Sequence, residues 1–214
     1  MDERFVNIIS EKNSEVRIKI LSGHFASRSA HINAYIDLST VKTRHNNARE
    51  TARILAEEYK TNTMIDTILS LKNTEVIASF LAEQLADTTN ASLSAGNNIS
   101  VVSPEYDSVG QIFLRDNSLR MIEGQQVLIL TDSISTGQSL YQAIESVLYY
   151  GGTICGMSAV FSAISRVAGM DVKAVFTRSD LPDYHYYKPH ECPMCQAGQR
   201  IEAMINSFGY SKLN

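Results

Sequence analysis

Between residues 64 and 177 short apolar runs alternate with helical repeats, and this alternation restricts the fold more than any other feature of the chain. MIDTILSL (64–71), NISVV (98–102), the run 126–131, TICGMSAVF (153–161) and KAVFT (173–177) read as strands. Ile77, Phe80, Leu81 and Leu85 mark a helix over about 75–86, and Leu140, Ile144, Val147 and Leu148 mark another. The strands are apolar on both faces, which requires cover on both sides. Strands alternating with helices of this length build a parallel sheet from βαβ units. The expected fold class is therefore α/β, a single domain with a central, mainly parallel sheet flanked by helices. An apolar spacing of Ala48, Ala52, Leu55, Ala56 and Tyr59 adds a helix starting from about Thr43. Gly151-Gly152 supplies a helix stop.

Outside this region the pattern is weaker. Residues 2–12 read as a short helix, VRIKIL (16–21) and INAYIDL (32–38) as strands, and SGHFASRSAH as a polar loop between them. The last fifteen residues read as a short helix with Ile201, Met204 and Ile205 inward, stopped at Gly209. Three units are expected: an N-terminal lobe (1–42), an α/β core (43–178) and a C-terminal appendage (179–214). A net charge of −4 argues against a nucleic-acid binder that works through a basic face. No apolar run is long enough to span a bilayer, and the N-terminus lacks the pattern of a signal peptide. With three cysteines, too few for a disulfide framework, a cytoplasmic location is expected.

VLILTDSISTGQSL (127–140) carries the chemistry. In an open parallel sheet ligands bind beyond the carboxyl ends of the strands, where Asp132 falls. Ser133 to Ser139 form the following turn, and a helix is expected to start near Gly137 or Gln138. Its free N–H groups and dipole suit an anion. Ser135, Thr136 and Ser139 add hydroxyls, and Gly137 allows close approach. A carboxylate beside this bed would accept hydrogen bonds from a diol. The implied ligand is a sugar phosphate; simple capping of a helix by Ser135 or Thr136 is the plainer alternative.

The same stretch resembles the phosphoribosyl pyrophosphate (PRPP) motif of type I phosphoribosyltransferases. Asp132 takes the second acidic position, Thr131 replaces the first, and Ser133, Ser135, Thr136, Gly137, Gln138 and Ser139 fall on the loop for the 5′-phosphate. Gln138 stands where a second Gly is common. IKILSGHFASRSAHINAYIDL (18–38) is similar to the N-terminal segment of orotate phosphoribosyltransferases, matching at Ser22-Gly23 and Tyr35 to Leu38. The basic residues expected after Ser-Gly are replaced by His24 and Phe25. The resemblance implies that Lys72, Asn73 and Thr74 hold the diphosphate, a plain helix cap by Asn73 or Thr74 being the alternative, that Phe25 and Tyr35 lie near the base, and that the N-terminal lobe is a base-enclosing hood. It also implies Mg²⁺, two copies of the chain assembled as a homodimer, PRPP and a pyrimidine base such as orotate as substrates, and Asp132 as the catalytic carboxylate. The loop expected to close over the site, Ser103 to Gly124, has no Lys or His, only Arg115 and Arg120. A PRPP- or nucleotide-binding regulator without turnover is therefore the second reading.

The tail adds a Cys-Pro-Met-Cys pair. His185, His190, Cys192 and Cys195 provide four ligands within eleven residues, the number a structural Zn²⁺ site needs. A free cysteine pair on a surface turn is the alternative. Cys155, in an apolar strand, reads as a buried small hydrophobe. Tyr184, Tyr186 and Tyr187 read as packing residues.

Overall fold

A computed structural model describes residues 4–107 and 110–213. Along the chain it forms β1 (Val6–Ser10), β2 (Asn13–Ala26), β3 (His31–Asp37), α1 (Ser39–Thr43), α2 (His45–Glu57), β4 (Thr67–Ser70), α3 (Glu75–Ala86), β5 (Ser100–Val102), β6 (Glu105–Tyr106), β7 (Ile112–Phe113) and α4 (Asp116–Leu119). Then follow β8 (Gln126–Ile134), α5 (Gln138–Tyr149), β9 (Thr153–Ser162), β10 (Arg166–Val167), β11 (Met170–Thr177), β12 (Tyr186–Tyr187), α6 (Pro193–Gln196), β13 (Ala203–Asn206) and β14 (Gly209–Lys212).

The central sheet has the order β10-β11-β9-β8-β4-β5. It is parallel throughout except for the β10–β11 hairpin at its edge. The mixed α/β class and the parallel sheet expected from the alternation are what the chain adopts. The alternation along β8 shows why. Leu128 and Leu130 pack into the cluster built with α2 and α3, whereas Val127 and Ile129 pack into the cluster built with α5. All four side chains are fully buried. Each such side chain contributes about 1.5–3 kcal/mol of burial free energy. α2 presents the predicted face, with Ala48, Ala52, Leu55 and Ala56 inaccessible to solvent. Just beyond it, Tyr59 lies against the sheet, its hydroxyl 3.0 Å from the Met157 carbonyl and 2.8 Å from Ser158 Oγ. Gly156 makes room for that ring, since a Cβ there would sit 2.6 Å from Tyr59 Cε1.

The second sheet joins the two ends of the chain. Its order is β12-β3-β2-β13-β14, with β1 also paired to β2. The N-terminal strands and the C-terminal segment thus share one hydrogen-bonded layer, here termed the hood. Several expectations change here. The stretch read as a helix over 2–12 contains β1, antiparallel to β2 with Val6 opposite Ile20; residues 2 and 3 lie outside the described set. The loop read at 22–31 is mostly strand: β2 continues to Ala26, through a bulge between Ser22 and Phe25, and only residues 27–30 turn. The C-terminal helix is instead the β13–β14 hairpin, with Met204 44% exposed rather than inward. In each case pairing with a neighbouring strand, and for β13 also with distant β2, overrides a weak local pattern.

Candidate active site

At the carboxyl ends of β4 and β8 a cleft of about 920 Å³ opens between the central sheet and the hood. β8 does not stop before Asp132 as expected. It runs to Ile134, because Ser133 and Ile134 keep pairing with Phe161 and Ser162 of β9. Asp132 is therefore held on a strand and is 3% exposed. Its Oδ1 accepts hydrogen bonds from the backbone N–H and the hydroxyl of Ser133. Its Oδ2 lies 3.1 Å from the ammonium of Lys42, a residue of α1 that is itself buried. Lys42 also donates to the Ser207 carbonyl at 2.7 Å. Lys72 donates to the Ser133 carbonyl at 3.2 Å, with its Nζ 3.9 Å from Asp132 Oδ1. Beside this network Thr131 Oγ1 is buried and finds no partner among the described residues. A buried hydroxyl left unmatched on a cleft wall is a group that a ligand can satisfy.

The turn after β8 has the geometry the anion reading needs. Residues 135 to 139 all line the cleft, and α5 starts at Gln138 as expected. No side chain caps α5 in the usual way. Thr136 Oγ1 takes only a long hydrogen bond, 3.4 Å, from the Gln138 N–H. Gly137 is left-handed at φ +81°, and a Cβ there would come within 3.1 Å of Ile164 Cδ1. Conformation and space both demand glycine. Ser135 Oγ meets the Tyr184 hydroxyl at 2.8 Å. Tyr184 packs edge-on against Phe161, as a packing residue should, and burial pushes its phenol up to about 12.

The turn between β4 and α3 holds two consecutive non-glycine residues at positive φ, Lys72 at +54° and Asn73 at +61°. Such backbone is costly and tends to mark a functional constraint. Both residues line the cleft, as does Glu75, which accepts a 2.9 Å hydrogen bond from Ser103. Thr74 departs from expectation. It is fully buried, and its hydroxyl bonds to the Leu71 carbonyl and to Ser70 Oγ, so it builds the turn and faces no ligand.

The hood forms the opposite wall. Tyr35 lines the cleft, packed against Tyr210 with ring centroids 5.1 Å apart. Burial, and then the nearby Asp37, Tyr210 and Asp132, push its phenol pKa upward. Phe25 does not reach the cleft; it is 1% exposed inside the Leu21–Tyr35–Ala203 cluster, because the bulge in β2 turns it inward. The β13–β14 turn supplies Asn206, Ser207 and Phe208 to the wall, with Asn206 Oδ1 accepting from the N–H groups of Phe208 and Gly209. Arg28, from the β2–β3 turn, also lines the cleft and lies against Gly110, where a Cβ would be 2.7 Å from its Nη1.

The stretch 103–124, apart from Ser108 and Val109 outside the described set, brings no cation to the cleft. Arg115 is bound to Glu105 at 2.7 and 2.8 Å on the surface. Arg120 lines a separate hollow with Asp66 and Gln125, near the starts of β4, β5 and β8. The positive charge comes from Arg28, Lys42 and Lys72. Sequence reasoning found Lys72 and missed the other two. A lysine in a short helix and an arginine in a turn carry no local signal; only their approach to Asp132 and Gly110 reveals them.

The tail ligands regroup as well. His190 is exposed beside Glu191, and His185 is fixed through its backbone N–H to Asn33 Oδ1. Cys192 and Cys195 instead face His24 and His31 of β2 and β3, with the four ligand atoms within 4.8 Å of one another.

No family model matches the chain. The orotate phosphoribosyltransferase of Caldicellulosiruptor saccharolyticus is 28% identical over 183 residues, covering 84% of this chain and 86% of that protein. Among solved structures, the orotate phosphoribosyltransferase of Mycobacterium tuberculosis superposes with a TM-score of 0.51 at 19% identity, over 76% of this chain and 91% of that one. Adenine phosphoribosyltransferase from Thermoanaerobacter pseudethanolicus gives 0.52 at 13% identity, over 81% and 95%. Among the described residues no helix is long and apolar enough to cross a membrane. In sequence the chain is similar to orotate phosphoribosyltransferases, and it shares the fold of the solved phosphoribosyltransferases.

Proposed function

We propose that the cleft binds PRPP and transfers its phosphoribosyl group to a pyrimidine base, orotate first among them. The observation that carries this reading is the convergence of three elements on one cleft: the uncapped start of α5 with its serines and Gly137, the left-handed Lys72–Asn73 turn, and Asp132 with the orphan hydroxyl of Thr131. The M. tuberculosis enzyme has been crystallised with PRPP itself, which supports the same class of ligand here.

In this reading the N–H groups at the start of α5 hold the 5′-phosphate. The ribose hydroxyls take Asp132 and Thr131. Lys72 and the backbone of Asn73 hold the diphosphate. As the C–O bond to the leaving diphosphate breaks, negative charge grows there while the sugar becomes oxocarbenium-like. Lys42, once the ribose engages Asp132, is placed to serve that charge together with Lys72. Preorganised cations at such a position supply on the order of 3–4 kcal/mol each. Arg28 supplies a further cation at the cleft mouth. Mg²⁺ prefers one or two carboxylates plus substrate phosphates, and Asp132 and Glu75 on the cleft wall fit that demand. A bound ion would neutralise the departing diphosphate. The base is expected between Tyr35 and the β13–β14 turn. Two copies of the chain are expected to assemble.

One observation favours the second reading, a PRPP- or nucleotide-binding regulator. Asp132 is already neutralised by Lys42, and Thr131 stands in place of another acid, so the diol site carries less free charge than two carboxylates would. Mixing protein, PRPP, Mg²⁺ and orotate separates the two. Loss of orotate absorbance supports transfer. PRPP binding by calorimetry without orotate loss selects the regulator, and absence of PRPP binding refutes both.

A further inference from the structure

The His24, His31, Cys192 and Cys195 cluster lies outside the cleft and no step above uses it. We propose that it is a structural Zn²⁺ site that clamps the C-terminal segment onto the hood. His24 Nε2 lies 3.2 Å from His31 Nδ1, 3.5 Å from Cys192 Sγ and 3.7 Å from Cys195 Sγ; Cys195 Sγ lies 3.2 Å from His31 Nδ1. A tetrahedral Zn²⁺ with bonds of about 2.05 Å to nitrogen and about 2.3 Å to sulfur sets nitrogens about 3.3 Å apart and nitrogen and sulfur about 3.6 Å apart. The three edges at His24 Nε2 have that size, the Cys195–His31 edge is shorter, and the remaining pairs lie within 4.8 Å.

Hydrogen bonding accounts for only part of the arrangement, because His24 Nε2 has one lone pair for three neighbours. His24 Nδ1 is 2.9 Å from the Gln199 carbonyl, which can only accept, so Nδ1 carries the proton and the neutral ring leaves Nε2 bare. One lone pair then faces three other atoms; His24 and Cys192 are fully buried, His31 is half-buried and Cys195 is exposed. A cation at the centre matches all four, and the Gln199 carbonyl is the outer partner that fixes a ligating imidazole. Two thiolates and two imidazoles in a tetrahedron select zinc, and four protein ligands close the site to chemistry. A Cys192–Cys195 disulfide, the competing state, would leave His31 Nδ1 as the one group of the four able to donate to His24 Nε2.

The clamp has a consequence for the cleft. It ties the β2–β3 hairpin to Cys192–Cys195, and a few residues later β13 lies parallel to β2 with Ala203 opposite Phe25. That strand delivers Ser207, whose carbonyl holds Lys42. Untagged protein prepared under reducing conditions with zinc is expected to carry about one zinc per chain by plasma mass spectrometry. Cobalt in its place should show thiolate charge-transfer bands and the strong ligand-field bands of a tetrahedral ion. H31A and C195S, both at the more exposed side of the cluster, should lose stoichiometric zinc, while H185A and H190A retain it. Wild-type protein that stays metal-free after reduction and zinc addition, an octahedral cobalt spectrum, or H31A binding zinc as wild type does, would each overturn the proposal. None of these readouts depends on what the cleft binds.

Discussion

The central sheet and the hood are built by opposite rules. In the central sheet β4 and β8 are each followed within a few residues by a helix, α3 and α5, and neighbouring strands are parallel apart from the β10–β11 hairpin. Burial on both faces forces continuous apolar runs. In the hood, strands from residues 6–37 pair with strands from 186–212, mostly antiparallel, and one face carries polar residues. The hood has a small cluster around Tyr35, and Val16, Ile18, Ile20, Ile32 and Ala34 of its strands pack into the large cluster shared with the central sheet. The central sheet is buried on both faces, whereas the hood buries one. Lys42 joins the two: it sits in α1, pairs with Asp132 of the central sheet and donates to Ser207 of the hood.

This contrast can be broken by mutation. Truncating Phe161, fully buried in the central sheet, should cost about 3–5 kcal/mol in denaturant unfolding. The hood counterpart Phe208→Ala, on a side chain 82% exposed, should stay within about 0.5 kcal/mol and act only on ligand binding. Equal losses at the two positions would dissolve the distinction. Lys42→Met removes the bridge and leaves buried Asp132 with the more distant Lys72, 3.9 Å away, as its ion partner, with an expected loss of up to about 3–5 kcal/mol. The double variant K42M/D132N should recover part of that stability while binding PRPP less well than wild type. No recovery in urea titration would mean that the pair does not couple the two layers.

Smaller effects sharpen the picture. Gly137→Ala meets both a left-handed backbone and the Ile164 side chain, and should cost about 1–2 kcal/mol together with weaker PRPP affinity by calorimetry. Unchanged affinity would remove the α5 start from the site. Thr131→Val deletes a hydroxyl that bonds to nothing among the described residues. Its stability should change by less than about 1 kcal/mol, since no internal hydrogen bond is lost. PRPP affinity should nonetheless drop; an unaffected affinity would show that the orphan hydroxyl is not a ligand group.

Legibility followed the same division. Helix α3 was readable to the residue, and so was the start of α5, because local period and turn chemistry agree with the tertiary demand. The phosphate loop was readable because all of it lies in one stretch directly after a strand. The end of β8 was not, since pairing with β9 carries the strand past Asp132. The metal ligands were half readable. Cys192 and Cys195 form a local pair, but proximity in sequence suggested His185 and His190, whereas folding across the hood delivered His24 and His31. Phe25 failed as a base contact because a bulge, invisible in the pattern, turns it inward.

Residue order alone settled the parallel α/β core, the place where β8 hands over to α5, and the chemistry of the turn between them. These depend on interactions spanning a few residues and on burial that any such strand must satisfy. The tertiary structure decided which cations face Asp132, which histidines meet the cysteines, and how the two ends of the chain share one sheet. Those depend on contacts across scores or hundreds of residues, such as Lys42 with Asp132 and His24 with Cys192, and no local preference encodes them.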